Sequence, residues 1–414
     1  MQIFINCILR ICSTHYPYPY PKYAHTIGSI IVNAVACADD VALISDNPYD
    51  LQILLNTAVL YSQKHHYTLQ PQKSVIIPVN EKLTNSNKPT HTFRLNGEEM
   101  PNVDKSSHLG IIRSTSRLKT ENATIDQNIT KARRASYSLM SAGLHGDNGL
   151  DPVTSISIMK TYILPILTYS LEVLQSRSSN IHKLEQFQKS ILKRILSLPK
   201  NAPDPVLYII SGILPTEAQI DIKCLTLFNN IARQPEDAIE NLLAKRQLNI
   251  KENNSTSWFI TIKEKLYKYN LPNPLSLLDS PLRKNEWKNT VKKAVEKHWK
   301  IVILENCNMY NSFNYLHCDV FQPNKIHHLI QIDNTSDPSV EAVRIAVKLK
   351  LVNGTYNLQV RAAKFRSANT RICELCNEED EDIEHFLLGC QILQCVRAPF
   401  LNELADILQG TYSK

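Results

Sequence analysis

The stretch GSIIVNAVACADDVALIS, residues 28–45, decides how the chain is read. From Ser29 to Cys37, and again from Val41 to Ser45, it is apolar and β-prone, and only Ala38, Asp39 and Asp40 separate the two runs. Such runs around a short polar pair predict a β-hairpin with both carboxylates at its tip. Adjacent like charges repel, so two aspartates on an apolar hairpin need open water or a cation. Two chemistries stay open on these residues: an ordinary turn, where Asp is common, or a site in which carboxylates hold Mg²⁺ for phosphoryl transfer.

Working outward, Asn47-Pro48 opens a predicted helix with Leu51, Leu54, Leu55, Ala58 and Tyr61 on one buried face. A short strand follows at Ser74–Val79, then a polar loop from Asn80 to Thr92, a hairpin turning at Asn96-Gly97, and a strand from His108 to Ile112. Beyond about Thr120 the pattern is helical, with breaks at 143–151, 199–205, 251–257, 271–281 and Gly354. Upstream, the Tyr-Pro alternation from Tyr16 to Pro21 fixes an extended backbone. The expected class is α+β. A small α/β section at 27–115 follows an extended leader at 1–26, then come helical segments at 116–250 and 251–365 and a small C-terminal unit at 366–414.

Composition narrows the classes of function. With 43% hydrophobic and 21% charged residues among 414, the chain has the make-up of a globular protein with a real core. No run of about 18 apolar residues suggests a membrane span. Met1–Cys12 is apolar, but Arg10 falls late and Tyr-Pro repeats follow, which is not the order of a secretory signal. Ten cysteines at irregular intervals, four of them within the last 45 positions, argue for thiol or metal chemistry in an intracellular protein rather than a disulfide framework. The expected location is the nucleus or cytoplasm.

The sharpest motif lies in that cluster: Cys373-x2-Cys376-x8-His385-x4-Cys390. Three thiolates and one imidazole suit a tetrahedral, structural Zn²⁺, and the first pair has the spacing of a knuckle turn. Glu378 to Asp382 is expected to be a hydrophilic spacer that does not pack. Ile383, Phe386, Leu387 and Leu388 are expected to form the apolar side of a short helix carrying His385, and Cys395 to be a buried thiol outside the ligand set.

Ala36-Cys37-Ala38-Asp39-Asp40, the Gln70-Pro71-Gln72-Lys73-Ser74 segment and His108-Leu109-Gly110, in that order, resemble the reverse transcriptases of non-LTR (LINE-type) retrotransposons. Cys37 and His108 stand where that family usually has aromatic residues. The run Tyr162–Tyr169, with Leu184–Gln188 after it, also resembles the region behind the palm, and the C-terminal motif resembles the zinc-binding domain downstream of the thumb. The resemblance implies that 27–115 is a palm remnant, 116–250 a thumb, 251–365 a connector and 366–414 the zinc-binding domain. It implies that Asp39 is a metal ligand with Asp40 a weaker partner, that Lys73 lies near the incoming triphosphate, and that Leu109 and Gly110 contact the primer end. RNA and DNA, as element transcript and primer-template, are the implied partners, with no membrane. A working palm also needs a third carboxylate on a separate upstream strand, and the 38 residues before Asp39 contain no Asp or Glu. The chain is therefore expected not to polymerise by itself, and Mg²⁺ enters only where the palm is complete.

In the helical middle, Lys131, Arg133 and Arg134, and then Lys183, Lys189, Lys193 and Arg194 beside an apolar stripe, are candidate phosphate contacts. Their alternative is a solvated helix face. Trp287 and Trp299 sit at helical spacing with Val291 and Val295 and are expected in the core, with lysines around them. Lys364, Arg366 and Arg371 are the cations nearest the acidic knuckle. The competing function is a non-enzymatic adaptor that keeps the zinc unit and the helical body for protein contacts.

Overall fold

The computed structural model describes residues 26–32, 34–37, 39–79, 91–146, 149–313, 315–331, 338–365 and 370–412. The leader up to residue 25, most of the polar loop Asn80–Thr92, and Arg366 lie outside them. Four two-stranded antiparallel sheets come first: β1 (Thr26–Ile27) with β2 (Ile30–Ile31), β3 (Ala34–Cys37) with β4 (Asp40–Leu43), β5 (Arg94–Leu95) with β6 (Glu98–Glu99), and β7 (Lys105–His108) with β8 (Ile111–Ser114). The helices of six or more residues are α1 (Pro48–Lys64), α2 (Arg117–Met140), α3 (Pro152–Ile158), α4 (Ser178–Ile195), α5 (Asp204–Ser211), α6 (Thr216–Ala232), α7 (Ile239–Ile250), α8 (Trp258–Lys268), α9 (Pro274–Asp279), α10 (Lys284–Cys307), α11 (Pro338–Val352), α12 (Gln359–Lys364) and α13 (Gln394–Tyr412). The α+β class holds, and no described helix is long and apolar enough to cross a membrane.

The chain forms two compact units that interleave in sequence. The first comprises Met1–Arg133, Pro165–Leu184 and Thr216–Glu296. Its α1 starts as expected: the Asn47 side chain accepts from the Tyr49 amide at 2.9 Å, and Pro48 occupies the first turn. Leu54, Leu55 and Tyr61 are buried, and Leu55 joins Phe93, Leu95 and Met100 in a small core flanked by Leu43, Leu51 and Ile76. In α2, the buried Glu121 accepts from the Arg177 amide at 2.8 Å and from Asn180 at 2.6 Å, so a carboxylate distant in sequence caps the start of α4. Farther along, fully buried Asp221 takes the Tyr269 hydroxyl at 2.6 Å and ion pairs from Lys265 and Lys268. Trp287 and Val291 of α10 are fully buried, and the indole donates to the Leu225 carbonyl at 2.8 Å. Trp287 thus occupies the core as expected, while Trp299 is only half-buried.

The second unit comprises Arg134–Leu164, Glu185–Pro215 and Lys297–Lys414. The stripe of α4 packs here through Phe187, Ile191, Leu192 and Ile195. Tyr208 donates to Glu185 at 2.6 Å and Gln188 to the Leu214 carbonyl at 2.9 Å. α5 ends at Gly212, whose φ of +64° suits a residue without Cβ.

Several local expectations are corrected. The hairpin expected at the acidic pair is present as β3–β4, with Asp39 in its two-residue turn and Asp40 in the closing pair with Cys37, so both carboxylates sit at its end; the strand expected from Ser29 to Cys37 is instead split into β2 and β3. Leu109 and Gly110 are not in a strand: they form the two-residue turn between β7 and β8, at φ of +52° and +78°. Ser74–Val79 contributes only a single bridge, Ile76 to Asn102. The break at 271–281 contains the short helix α9. Removing the carboxylate of Asp221 would take the buried partner from Lys265 and from the Tyr269 hydroxyl, while Lys268 keeps Glu217 at 2.6 Å; Asp221→Ala is expected to lose about 3–5 kcal/mol of stability, measured by urea denaturation.

Candidate metal centre

The four C-terminal ligand residues meet. Ligand atoms of Cys373, Cys376, His385 and Cys390 all lie within 4.8 Å of one another, and Cys373, His385 and Cys390 are buried. Cys376 Sγ is 3.4 Å from His385 Nε2, close to the roughly 3.5 Å edge between a thiolate and an imidazole on one tetrahedral ion. The cluster could hold a metal ion, and its donors suit a tetrahedral one.

Local backbone geometry explains the convergence. After Cys376 the chain reverses through Asn377 at φ +57°, a conformation Asn tolerates, while the Asn377 amide donates back to the Cys373 carbonyl at 2.9 Å. The Cys373 amide donates to the Glu379 carbonyl at 2.8 Å, and the Glu381 amide to the Arg371 carbonyl at 2.8 Å, closing the knuckle. On the far side, residues 385–389 form a π turn in which the Cys390 amide reaches the His385 carbonyl at 2.7 Å. That wider turn brings Cys390 back towards the imidazole five residues earlier. A side chain on Gly389 would meet His385 Nδ1 at 3.3 Å, so the small residue leaves room for the ring's second partner.

That partner is Glu379, whose carboxylate takes the Nδ1 proton of His385 at 2.9 Å. The imidazole is thereby turned with Nε2 towards the thiols, the arrangement by which a carboxylate orients a metal-binding histidine. That hydrogen bond also raises the His385 pKa above the ordinary value, against the opposing effect of burial. The amides of Glu378 and Glu379 hold the Cys376 thiol down to about 7, against some opposing burial, whereas burial raises Cys373.

The acidic segment expected to be an unpacked spacer is instead the scaffold of the site. Glu381 accepts from the Gln359 amide at 2.8 Å and so caps α12, while Glu374 accepts from the Gln359 side chain at 2.6 Å. Asp380 pairs with Arg371 at 3.1 Å, Asp382 accepts the His385 amide at 2.8 Å, and Glu384 takes the Tyr315 hydroxyl at 2.8 Å. Reading the segment only for hydrophilicity missed these roles. The signal was present in the placement of acids around two ligand pairs that need orienting groups. Arg397, nine-tenths buried and donating to the Cys390 carbonyl, was also missed. Leu387 and Leu388 are exposed rather than packed, and so is Cys395, which therefore is not a buried thiol.

The other candidate residues are not brought into this centre. Asp39 and Asp40 are exposed, and among the described residues neither belongs to a group of three potential metal ligands. Lys73 is exposed at the end of a 3₁₀ turn at Pro71–Lys73. The Leu109-Gly110 turn rests on Tyr169: a Cβ on Gly110 would meet the ring at 2.6 Å, and the Tyr169 hydroxyl lies 3.4 Å from the Leu109 carbonyl. Lys131, Arg133 and Arg134 are exposed on α2. Lys189 and Lys193, by contrast, both pair with Asp204 at 3.0 Å, and Arg194 contacts the Met140 sulfur at 2.9 Å and lies over the Tyr137 ring. Burial pushes Asp204 up, but the two lysines outweigh it and leave its carboxyl below the ordinary range.

No family of known proteins matches the chain, and no curated protein matches it either. The metal-site geometry makes its own prediction. Glu379→Ala leaves all four ligands in place but frees the imidazole to rotate. Metal affinity is expected to fall about 10–100-fold with unchanged stoichiometry at saturation, read by competition with a chromophoric chelator.

Proposed function

We propose that the chain is a nucleic-acid-binding protein of LINE-type reverse-transcriptase descent, with a structural Zn²⁺ held by Cys373, Cys376, His385 and Cys390. The observation that carries the zinc part is the convergence of three sulfurs and one imidazole nitrogen within 4.8 Å. Protein donors fill all four positions, leaving no place for an activated water, so the ion organises rather than catalyses. Such an ion contributes on the order of 10 kcal/mol of apparent binding free energy, most of it felt as folding of the small unit.

The lineage rests on the order of motifs from Cys37-Ala38-Asp39-Asp40 through Leu109-Gly110 to the zinc ligands. In this reading 27–115 is palm, 116–250 thumb, 251–365 connector and 366–414 zinc domain. Lys131, Arg133 and Arg134, exposed together on α2, are its best phosphate contacts. Lys189 and Lys193 would have to leave Asp204 to take part. Two-metal phosphoryl transfer needs carboxylates gathered from more than one strand, and no third described ligand joins Asp39 and Asp40. These 414 residues are therefore read as binding RNA and primer-template DNA inside the cell without extending it.

A second reading, a zinc-containing adaptor for protein contacts, is favoured by one observation. The α13 helix exposes Val396, Phe400, Leu404, Ile407 and Leu408, a contiguous apolar stripe of the kind that marks interaction surfaces.

Filter binding to structured RNA and primer-template DNA over a salt series separates the two. Nucleic-acid binding predicts affinity that falls with salt at a log–log slope of about −0.9 per neutralised phosphate, and no salt-sensitive binding at low ionic strength selects the adaptor. Primer extension with Mg²⁺ is expected to give no product. Cys373→Ser is expected to lose zinc and melt at lower temperature; zinc content equal to that of the unmodified chain would sink the metal assignment.

A further inference from the structure

In the second unit, α13 presents an apolar ridge to solvent. Ile392, in the 3₁₀ turn Gln391–Leu393 that leads into the helix, is followed every four residues by Val396, Phe400, Leu404 and Leu408, and each of these is half or more exposed. Side chains four apart stack into one oblique ridge on a helix, and no charged residue interrupts this one. From Pro399 to Leu408 every side chain is exposed, so no face of that stretch is buried. About ten residues of helix with no packed face are marginal in water, and Pro399 removes a further backbone hydrogen bond.

The spacing says what kind of surface completes it. Counted from Phe400, the ridge is the same in both directions: Val396 and Leu404 stand four residues away, Ile392 and Leu408 eight. An interface across a two-fold axis must match itself when reversed. In an antiparallel pair centred beside Phe400, the level of Val396 coincides with that of Leu404 and the level of Ile392 with that of Leu408, so apolar meets apolar along the whole ridge. At roughly 100 Å² apiece, the ridge residues and exposed Ile407 offer on the order of 600 Å², against about 800 Å² per partner in a standard interface. That area suits a dimer in exchange with its monomer. Glu403 and Asp406, the acids of this helix, stand off the ridge, and two copies of Glu403 lie six residues of helical rise apart, about 9 Å.

We propose that the ridge is covered by a second copy of the chain, two α13 helices packing antiparallel across a two-fold axis beside Phe400. The inference rests on the protein-contact reading and deepens it by naming the partner; it uses neither the acidic hairpin nor the basic helices. The two Glu403 carboxylates are near enough to repel at low ionic strength and are screened by salt, so the dimer holds or tightens as salt rises. Nucleic-acid binding does the reverse.

Sedimentation equilibrium of the zinc-loaded full chain over a micromolar concentration series, at low and at high salt, tests it. A monomer–dimer equilibrium is expected, no weaker at high salt, with the dissociation constant raised about thirtyfold or more by Phe400→Asp, the loss of a central anchor. The Phe400 side chain is exposed, so the substitution leaves the knuckle intact, which the zinc content of the same samples checks. Cross-linking reads the register. With the exposed Cys37 and Cys395 replaced by serine, a short bis-maleimide is expected to join two chains of Phe400→Cys but not of Leu408→Cys, whose copies lie sixteen residues of helical rise apart, about 24 Å. A chain monomeric at every concentration, a dimer unmoved by Phe400→Asp, or equal cross-linking of the two cysteine variants would overturn the proposal. A zinc-loaded monomer removes the dimer alone, whereas the protein-contact reading itself falls to salt-sensitive affinity in the filter-binding series.

Discussion

A buried carboxylate must find donors, and in this chain it finds them far away in sequence. Glu121 takes the start of α4, 56 residues on. Asp221 gathers Lys265, Lys268 and Tyr269. Glu185 holds Tyr208, and half-buried Glu381 caps α12 from across the knuckle. Each fixes the end or the face of a helix at a particular place, which apolar contact alone does not do. Removing one partner leaves the other stranded in low dielectric, so these pairs specify position more than they add net stability. The metal centre extends the same logic to thiols, whose charge needs a cation once they are gathered and buried.

This explains how much could be read from the sequence. The α1 helix was legible because its cap, its proline and its apolar spacing agree, and the burial of Leu54, Leu55 and Tyr61 follows directly. The four ligands were legible because ligand spacing is a local property. What was not legible depends on single backbone conformations or on distant partners. A run such as His108–Ile112 has strand-like composition whether or not Leu109 and Gly110 adopt positive φ, and only the pairing of His108 with Ile111 reveals the turn. Asp39 and Asp40 look equivalent in sequence, and only the pairing of Cys37 with Asp40 shows that the first is in the turn and the second opens β4. The acids from Glu374 to Glu384 look like a solvated run until their partners Gln359, Arg371 and Tyr315 are in place.

The same blindness to partners affects the basic residues. Lys189 and Lys193 stand on one face of α4 with the spacing of a phosphate-binding strip, but a single Asp204 near the start of α5 takes both. A pair of ammonium groups already sharing a carboxylate offers less to a phosphate than exposed cations do, because binding must first exchange one anion for another. The exposed residues on α2 share no carboxylate in this way among the described residues, which shifts the electrostatic weight of the nucleic-acid reading from Lys189 and Lys193 to Lys131, Arg133 and Arg134.

The knuckle is also tied to the base of the last helix. Arg397 donates to the carbonyl of Cys390, itself a ligand residue, and to Gln394 in the first turn of α13. A ligand position is therefore connected by one side chain to the base of a helix whose remaining described side chains are almost all at the surface. A metal ion that fixes Cys390 would fix the Cys390 carbonyl, and through Arg397 the direction in which Phe400, Leu404 and Ile407 are presented. Without the ion, four ligands held only by thiol and imidazole hydrogen bonds give the arginine a less rigid anchor. With an ion bound, the small centre would act beyond its own residues, by orienting through Arg397 an apolar surface that the helix by itself does not hold in place.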